Sequence, residues 1–242
     1  MVEIQAAEVN KLRKATGAGM MDCKKALQES NGDFEAAIDI IRKKGQLVAS
    51  KRSEREATEG VVLAKSIGKR GAIIVLNCET DFVAKNENFV KLAEGILMLA
   101  LDKWPVDLTA LKTLPFDGRT VNDKIVDQIG IIGEKIDIGF FGKIQAEEVV
   151  PYIHQGNKLA TLVGFSKKVN FQIGKDIAMQ IAAMAPVAID KTDVPADIIE
   201  KEKEIGREQA RLEGKPENML DKIAEGKLNK FLGIKTAEPG FY

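Results

Sequence analysis

The sequence predicts an α+β fold built from several small segments. Three observations indicate it: helical periodicity at the start of the chain, two hairpin-then-helix patterns in the middle, and a charged pair of helices near the end. The 242 residues, of which 45% are apolar, suffice for one large domain or two to three small ones with real cores. Hairpins followed by helices on one face are typical of α+β layers.

The first segment, residues 1–45, predicts three short helices that form a very small bundle. Asp33 is placed to cap the third helix, and Gly45 is expected to end it. The charged stretch 46–59 predicts a helical or extended linker whose basic side chains form a solvated face. So small a bundle is marginally stable alone. Because small three-helix bundles of this kind mostly serve as docking modules, we assign residues 1–54 to a helical docking domain with its linker.

The middle of the chain predicts a β-hairpin and a helix, twice over. GVVLAKS and AIIVLNCE are joined by a turn with glycines, and a helix to about Lys103 follows, then shorter helices and a strand from about Glu134. VVPYIH and KLATLVGF form the second hairpin, and GKDIAMQIAAMAP is its helix. We predict two related α+β core subdomains, at 55–146 and 147–190.

Near the end of the chain, ADIIEKEKEIGREQARLEG and PENMLDKIAEGKLNKFLG predict two amphipathic helices around a Gly-Lys-Pro turn. We place this antiparallel helical hairpin at 191–232 and expect it to project from the body, because it is too polar to be buried on both sides. A tail, 233–242, follows. The second copy of the repeat has no counterpart of the short helices and closing strand of the first, so we expect that subdomain to be incomplete.

Composition argues against several classes of protein. The 36 basic and 36 acidic residues cancel, which disfavours a dedicated nucleic-acid binder and a polybasic membrane anchor. No apolar run approaches the roughly 20 residues of a membrane span, and the first residues lack a signal-peptide layout. Cys23 and Cys78 fit the reduced thiols of a cytosolic protein. We expect a cytoplasmic protein without direct contact to nucleic acid or membrane.

The sequence also lacks the motifs of common catalytic sites. Its glycines form no phosphate-binding loop, and neither Gly-x-Ser-x-Gly nor Cys-x-x-Cys occurs. Because His154 is the single histidine, a His-rich metal site is ruled out. We expect no catalytic residues, no bound metal and no cofactor.

The sharpest local feature is the pair Asp81 and Phe82, where a predicted strand meets a predicted helix. In one interpretation, Phe82 is a core residue and Asp81 an acid that stabilises the helix N-terminus. In the other, Phe82 is an exposed aromatic anchor that enters a partner's pocket, beside a carboxylate that contacts the same partner. The residues alone leave both interpretations open.

Two long motifs resemble a known family. "LRKATGAGMMDCKKAL" at 12–27 and "CETDFVAKNENF" at 78–89 are similar to the two signatures of bacterial elongation factor Ts, and ATEGVVL, IHQGNKLATLVGF and EGKLNKF follow in the family's order. The resemblance covers about residues 2–232. It implies a guanine-nucleotide exchange factor for elongation factor Tu, GDP-bound or nucleotide-free, that supports translation elongation. It also implies that the N-terminal bundle is similar to a ubiquitin-associated domain.

The resemblance further implies which residues contact the partner. The segment that would disturb the partner's Mg-binding region consists of Thr80, Asp81, Phe82 and Val83. The residues that would dock on other parts of the partner are Leu12, Arg13, Met20, Met21, His154 and Gly156. We expect at least one of the two methionines to fill the bundle core as well, and His154 has a plain loop residue as its alternative interpretation.

Three other functions compete with exchange. The runner-up is a non-catalytic scaffold, which binds elongation factor Tu but leaves nucleotide release unchanged because the C-terminal part is truncated. An enzyme acting on a small molecule has no identifiable catalytic constellation. RNA binding is disfavoured by the zero net charge, and strong salt-dependent binding would revive it.

Overall fold

The computed structural model describes residues 4–236, which combine ten α-helices with three small β-sheets and so confirm the α+β class. The chain divides into two compact units, with the boundary between Phe171 and Gln172. The finer division into five segments, and the interpretation of the two hairpins as repeated subdomains, stay predictions.

The first unit contains seven of these helices and seven strands. They are α1 Ala6–Thr16, α2 Met20–Glu29, α3 Phe34–Arg52, β1 Glu59–Ile67, β2 Arg70–Cys78, α4 Asp81–Ala84, α5 Glu87–Lys103, α6 Leu108–Thr113, β3 Pro115–Phe116, β4 Arg119–Thr120, α7 Val121–Ile132, β5 Asp137–Gln145, β6 Glu148–Ile153 and β7 Ala160–Phe165.

The three N-terminal helices enclose a small core of their own. Leu12, Cys23 and Leu27 are almost completely buried there. The Asp33 carboxylate accepts a hydrogen bond from the Ala36 N–H at 3.0 Å, so it caps α3 as predicted.

Gly45 does not end the third helix, contrary to the prediction. Helix α3 runs through it to Arg52, so the first half of the expected linker is helical. Gly45 lies against Gly130 of α7, where a Cβ atom added to Gly130 would be 2.6 Å from the Gly45 Cα. The absence of a side chain at Gly130 therefore permits α3 and α7 to cross closely at Gly45. A glycine at such a helix crossing need not terminate its helix.

The main sheet has the strand order β1-β2-β5 and is antiparallel throughout. Alternate side chains of β2, from Ala72 to Cys78, are buried on one face and pack in a common core with α5 and α7. The predicted hairpin and the predicted closing strand are both present, and β5 begins three residues after the expected start at Glu134.

The second hairpin, β6–β7, covers part of the other face of this sheet. A Cβ atom at Gly71 would lie 2.5 Å from Val149 and 2.8 Å from Leu162, so glycine allows the hairpin to approach the sheet closely. The Val62 N–H also donates to the Asn157 carbonyl at 2.8 Å. The two hairpins therefore belong to one compact unit.

The second unit contains α8 Phe171–Met184, α9 Ala196–Leu212 and α10 Leu220–Lys235. Helices α9 and α10 pack side by side, and a Cβ atom at Gly206 would lie 3.0 Å from the Ala224 Cα. The predicted pair of helices around a turn is present, and its projection from the core stays a prediction. Helix α10 extends three residues into the predicted tail, while residues 237–242 lie outside the described residues.

Across residues 4–236, every helix is too short or too polar to cross a membrane.

Candidate partner-binding site

The segment Thr80–Val83, named here the corner, connects the end of β2 to the start of α5. The Thr80 hydroxyl accepts from the Val83 N–H at 3.4 Å and so begins the four-residue helix α4. Asn86 then accepts from the Asn88 N–H at 2.9 Å and starts α5. Two capping side chains within seven residues thus start two consecutive helices, α4 and α5.

Phe82 is exposed on the corner and is not part of the core. Its side chain is 82% exposed, whereas that of Phe89, one helix later, is 1% exposed and belongs to the main core. Leaving a phenylalanine in water forgoes about 1.5–3 kcal/mol that burial would contribute. The structure therefore rules out a core position for Phe82, and its role as an anchor for a partner stays a prediction. Val83 and Ala84 beside it hold the corner to the core.

Asp81 is partly exposed beside Phe82. Its carboxylate forms an ion pair with Lys85 at 2.7 Å, one helical turn later. The hydrogen bond from Lys85 and the positive charge of that side chain lower the pKa of Asp81 below its ordinary value. Asp81 therefore presents a negative charge at neutral pH.

Glu134 holds the backbone that leads into the corner. Its Oε2 accepts hydrogen bonds from the N–H groups of Glu79 at 3.1 Å and Thr80 at 3.0 Å. Its Oε1 accepts from the Thr80 hydroxyl at 2.6 Å. A carboxylate that accepts several hydrogen bonds of this kind makes strong, directional contacts.

Glu79 makes the reciprocal contact. Its Oε1 accepts from the Lys135 N–H at 2.6 Å, so each glutamate binds backbone next to the other. Arg52, at the end of α3, donates to both Glu79 oxygens at 2.7 and 2.9 Å. Burial by itself would raise the pKa of Glu79, but the hydrogen bonds from the Lys135 N–H and Arg52 outweigh it and lower the pKa.

Lys135 ties the chain that follows α3 to the same place. Its ammonium group donates to the carbonyls of Ser53 and Arg55, both at 2.8 Å. The expectation that the basic linker residues form only a solvated face is wrong for Arg52, whose half-buried side chain forms an ion pair with Glu79. Sequence reasoning missed these contacts, because partners 27 to 82 residues apart leave no local pattern.

Cys78 supports the corner from inside the core. Its thiol donates to the Thr80 carbonyl at 3.2 Å. Burial, with the negative charge of Glu134 second, raises the pKa of Cys78 to about 11. The group is therefore a neutral thiol at physiological pH, and both cysteines are free.

Of the predicted docking residues in the N-terminal helices, Arg13, Met20 and Met21 are on the surface. Met20 is 56% and Met21 66% exposed, so the expectation that one of them fills the bundle core is wrong. Cys23 and Leu27, further along α2, occupy that space instead. Leu12 is completely buried and packs in the bundle core, and its assignment as a docking residue stays a prediction.

His154 and Gly156 lie in the loop between β6 and β7. His154 is exposed, and its Nδ1 is 2.8 Å from the Tyr152 hydroxyl. Gly156 has φ +91°, a left-handed conformation that favours glycine. An ion pair between Lys158 and Glu59 ties the loop to β1. The loop, the corner and the N-terminal surface thus come from three separate elements of one unit.

In the part of the chain that the structure describes, no three His, Cys, Asp or Glu side chains are grouped so that they could hold a metal ion.

Comparison with known proteins identifies relatives over nearly the whole chain. A family model described as elongation factor TS matches residues 79–237. A protein named elongation factor Ts from Porphyromonas gingivalis is 53% identical over 225 residues, 93% of this chain and 82% of its own length. Proteins of the same name from Christiangramia forsetii and Cytophaga hutchinsonii are 53% and 54% identical, over 98% and 96% of this chain and 87% and 85% of their own lengths.

Proposed function

Because the chain belongs to the elongation factor Ts family, we propose that it binds elongation factor Tu and promotes release of GDP from it, in support of translation elongation. One observation above all supports this proposal: Phe82 is exposed on a corner whose leading backbone N–H groups, those of Glu79 and Thr80, are held by hydrogen bonds to Glu134. A rigid aromatic side chain that is already exposed can enter a pocket with little loss of conformational entropy.

In this proposal, Phe82 acts as a wedge beside the nucleotide site of the partner. A Mg²⁺ ion bound to a nucleotide bridges its phosphates to protein ligands. When the partner's elements around that ion are displaced, the phosphates lose part of the positive charge that holds them, and the nucleotide leaves faster. The protein proposed here performs no covalent chemistry, and both metal and nucleotide belong to the partner.

Asp81 contributes a polar contact next to the wedge, and Thr80 and Val83 hold both side chains in place. The ion pair of Asp81 with Lys85 lies on the surface, where such pairs contribute little to stability. Asp81 can therefore exchange Lys85 for a cation or an N–H group of the partner at small energetic cost.

Arg13, Met20 and Met21 form a separate docking surface on the N-terminal helices, which we propose are ubiquitin-associated-like. Exposed methionine side chains adapt to the shape of a partner, and an arginine adds a charged anchor. His154 and Gly156 provide a further contact from the β6–β7 loop. The protein binds the GDP-bound or the nucleotide-free partner. By linkage, bound GDP weakens the binding of this protein to the partner by the same factor by which this protein weakens the binding of GDP.

We further propose that the protein acts in the cytoplasm without direct contact to nucleic acid or membrane. The formal net charge of zero supports this, because nucleic acids and anionic membranes select proteins with an excess of basic residues.

The test is the rate at which a fluorescent GDP analogue leaves elongation factor Tu, with the native chain and with Phe82→Ala. We expect strong acceleration by the native chain and loss of most of it in the variant. Phe171→Ala is the matched control, because Phe171 is also a highly exposed phenylalanine and is remote in sequence. A complex that forms while release stays at its spontaneous rate would contradict the proposal and favour the scaffold.

A further inference from the structure

The corner is too short to hold its own shape. Helix α4 has four residues, and a single helical turn is unstable by itself because nucleation is unfavourable. The exposed Phe82 adds a tendency to collapse onto apolar surface nearby. Contacts from elsewhere in the fold must therefore keep the corner in the conformation observed.

Those contacts come from the clamp, a name used here for Glu79, Glu134, Lys135 and Arg52. Glu134 accepts three hydrogen bonds from the two residues that lead into α4. Glu79 accepts from the Lys135 N–H and from Arg52 in return. Among residues 4–236, the carboxylate of Glu134 is the group that binds both the backbone N–H and the capping hydroxyl of Thr80.

We infer that Glu134 is a positioning residue: it holds the corner so that Phe82 stays exposed and correctly aimed when the protein meets its partner. The expected effect of Glu134 on the rate of GDP release rests on the proposed function. It assigns Glu134 no contact with the partner, since Glu134 acts through Thr80 and the start of α4.

The clamp also connects the corner to the N-terminal helices. Arg52 is the last residue of α3, and the Lys135 side chain binds the Ser53 carbonyl immediately after that helix. The clamp therefore fixes the C-terminal end of α3, which closes the N-terminal helices that carry Met20 and Met21. It also fixes the start of α4, which carries Phe82.

A positioning role predicts a specific kinetic pattern. If Glu134 only orders the corner, its removal leaves the docking surfaces intact but lets Phe82 adopt unproductive conformations. Glu134→Ala should then lower the maximal rate of GDP release roughly tenfold, since a misplaced group loses much of its effect. The concentration that gives half the maximal rate should change less than about twofold, because the docking residues still bind.

The experiment measures release of the fluorescent GDP analogue from elongation factor Tu against the concentration of each variant. Glu134→Gln keeps an oxygen that can accept the two N–H groups and should restore the rate to within about threefold of the native chain. Glu87→Ala is the control, because that glutamate side chain is 89% exposed at the start of α5. The double variant Phe82→Ala with Glu134→Ala should be no slower than Phe82→Ala alone.

Three results would overturn the inference: a native-like maximal rate for Glu134→Ala, a loss that adds fully to that of Phe82→Ala, or no rescue by glutamine. Amide hydrogen exchange in the isolated protein decides the structural part without the partner. The amides of residues 79–85 should exchange at least about tenfold faster in Glu134→Ala and at the native rate in Glu87→Ala. If the native chain failed to accelerate GDP release, the proposed function would be refuted. Unchanged amide hydrogen exchange of residues 79–85 in Glu134→Ala would separately refute the role of the clamp.

Discussion

Gly45 of α3 and Gly130 of α7 meet backbone to backbone, and the crossing leaves no room for a Cβ atom at Gly130. A Cβ atom at Gly130 would lie 2.6 Å from the Gly45 Cα, closer than Cβ atoms approach other atoms in proteins. This crossing attaches the N-terminal helices to the core, so it should respond strongly to substitution.

We expect Gly130→Ala to destabilise the protein by about 1–2 kcal/mol, because the steric conflict exceeds the gain of up to about 1 kcal/mol in helix propensity. Gly226→Ala is the control, since Gly226 lies in α10 with no atom within 4 Å of its added Cβ. That variant should be as stable as the native chain or more so. Urea unfolding measures both, and equal effects of the two variants would contradict a tight crossing.

Phe89 and Phe82 should respond to truncation in opposite ways. Phe89→Ala removes a buried ring from the main core and should lower the free energy of unfolding by about 3–5 kcal/mol. Phe82→Ala removes an exposed ring and should change that free energy by no more than about 0.5 kcal/mol. Denaturant unfolding distinguishes the two, and a large loss of stability in Phe82→Ala would mean that this side chain is structural.

Glu79 should make stability depend on pH in the acid range. Its pKa in the folded protein is below the ordinary value of 4.5, so the folded state binds the proton less tightly than the unfolded state does. Its contribution is therefore complete above about pH 4.5 and is lost as the pH falls through the folded pKa. We expect Glu79→Gln to be less stable than the native chain at neutral pH, with a difference that shrinks on acidification.

The measurement is the free energy of unfolding of both chains from pH 7 downward. The comparison isolates Glu79, because the two chains differ only at that residue. A difference that stays constant, or grows, as the pH falls below 4.5 would show that the charge of Glu79 is not what stabilises the fold.

Met20 and Met21 should affect affinity and not the maximal rate. Truncation of both to alanine should raise the concentration needed for half-maximal GDP release by about tenfold, which corresponds to about 1.4 kcal/mol of binding energy. The maximal rate should remain, because the corner is untouched. Leu47→Ala is the control, since Leu47 is an equally exposed apolar residue of α3. An unchanged half-maximal concentration would remove the two methionines from the docking surface.

Local chemistry made much of the fold predictable. The Asp33 cap, the glycine-containing turn between β1 and β2, and the turn before Pro216 are each specified by a few adjacent residues, and all three occur where the sequence predicts them. Gly45 shows where this approach fails. Its local signal is helix termination, but contact with Gly130 from a distant helix overrides that signal.

The sequence by itself determined the family, the order of the longer helices and strands, and the presence of an acid and an aromatic residue at the end of β2. Only the tertiary structure decided that Phe82 is exposed while Phe89 is buried, and that Glu134 holds the backbone at Thr80. The physical reason is the separation along the sequence of the residues that interact. Caps and turns depend on neighbours within a few residues, whereas the exposure of a side chain and the partner of a carboxylate depend on which distant segments the folded core brings together.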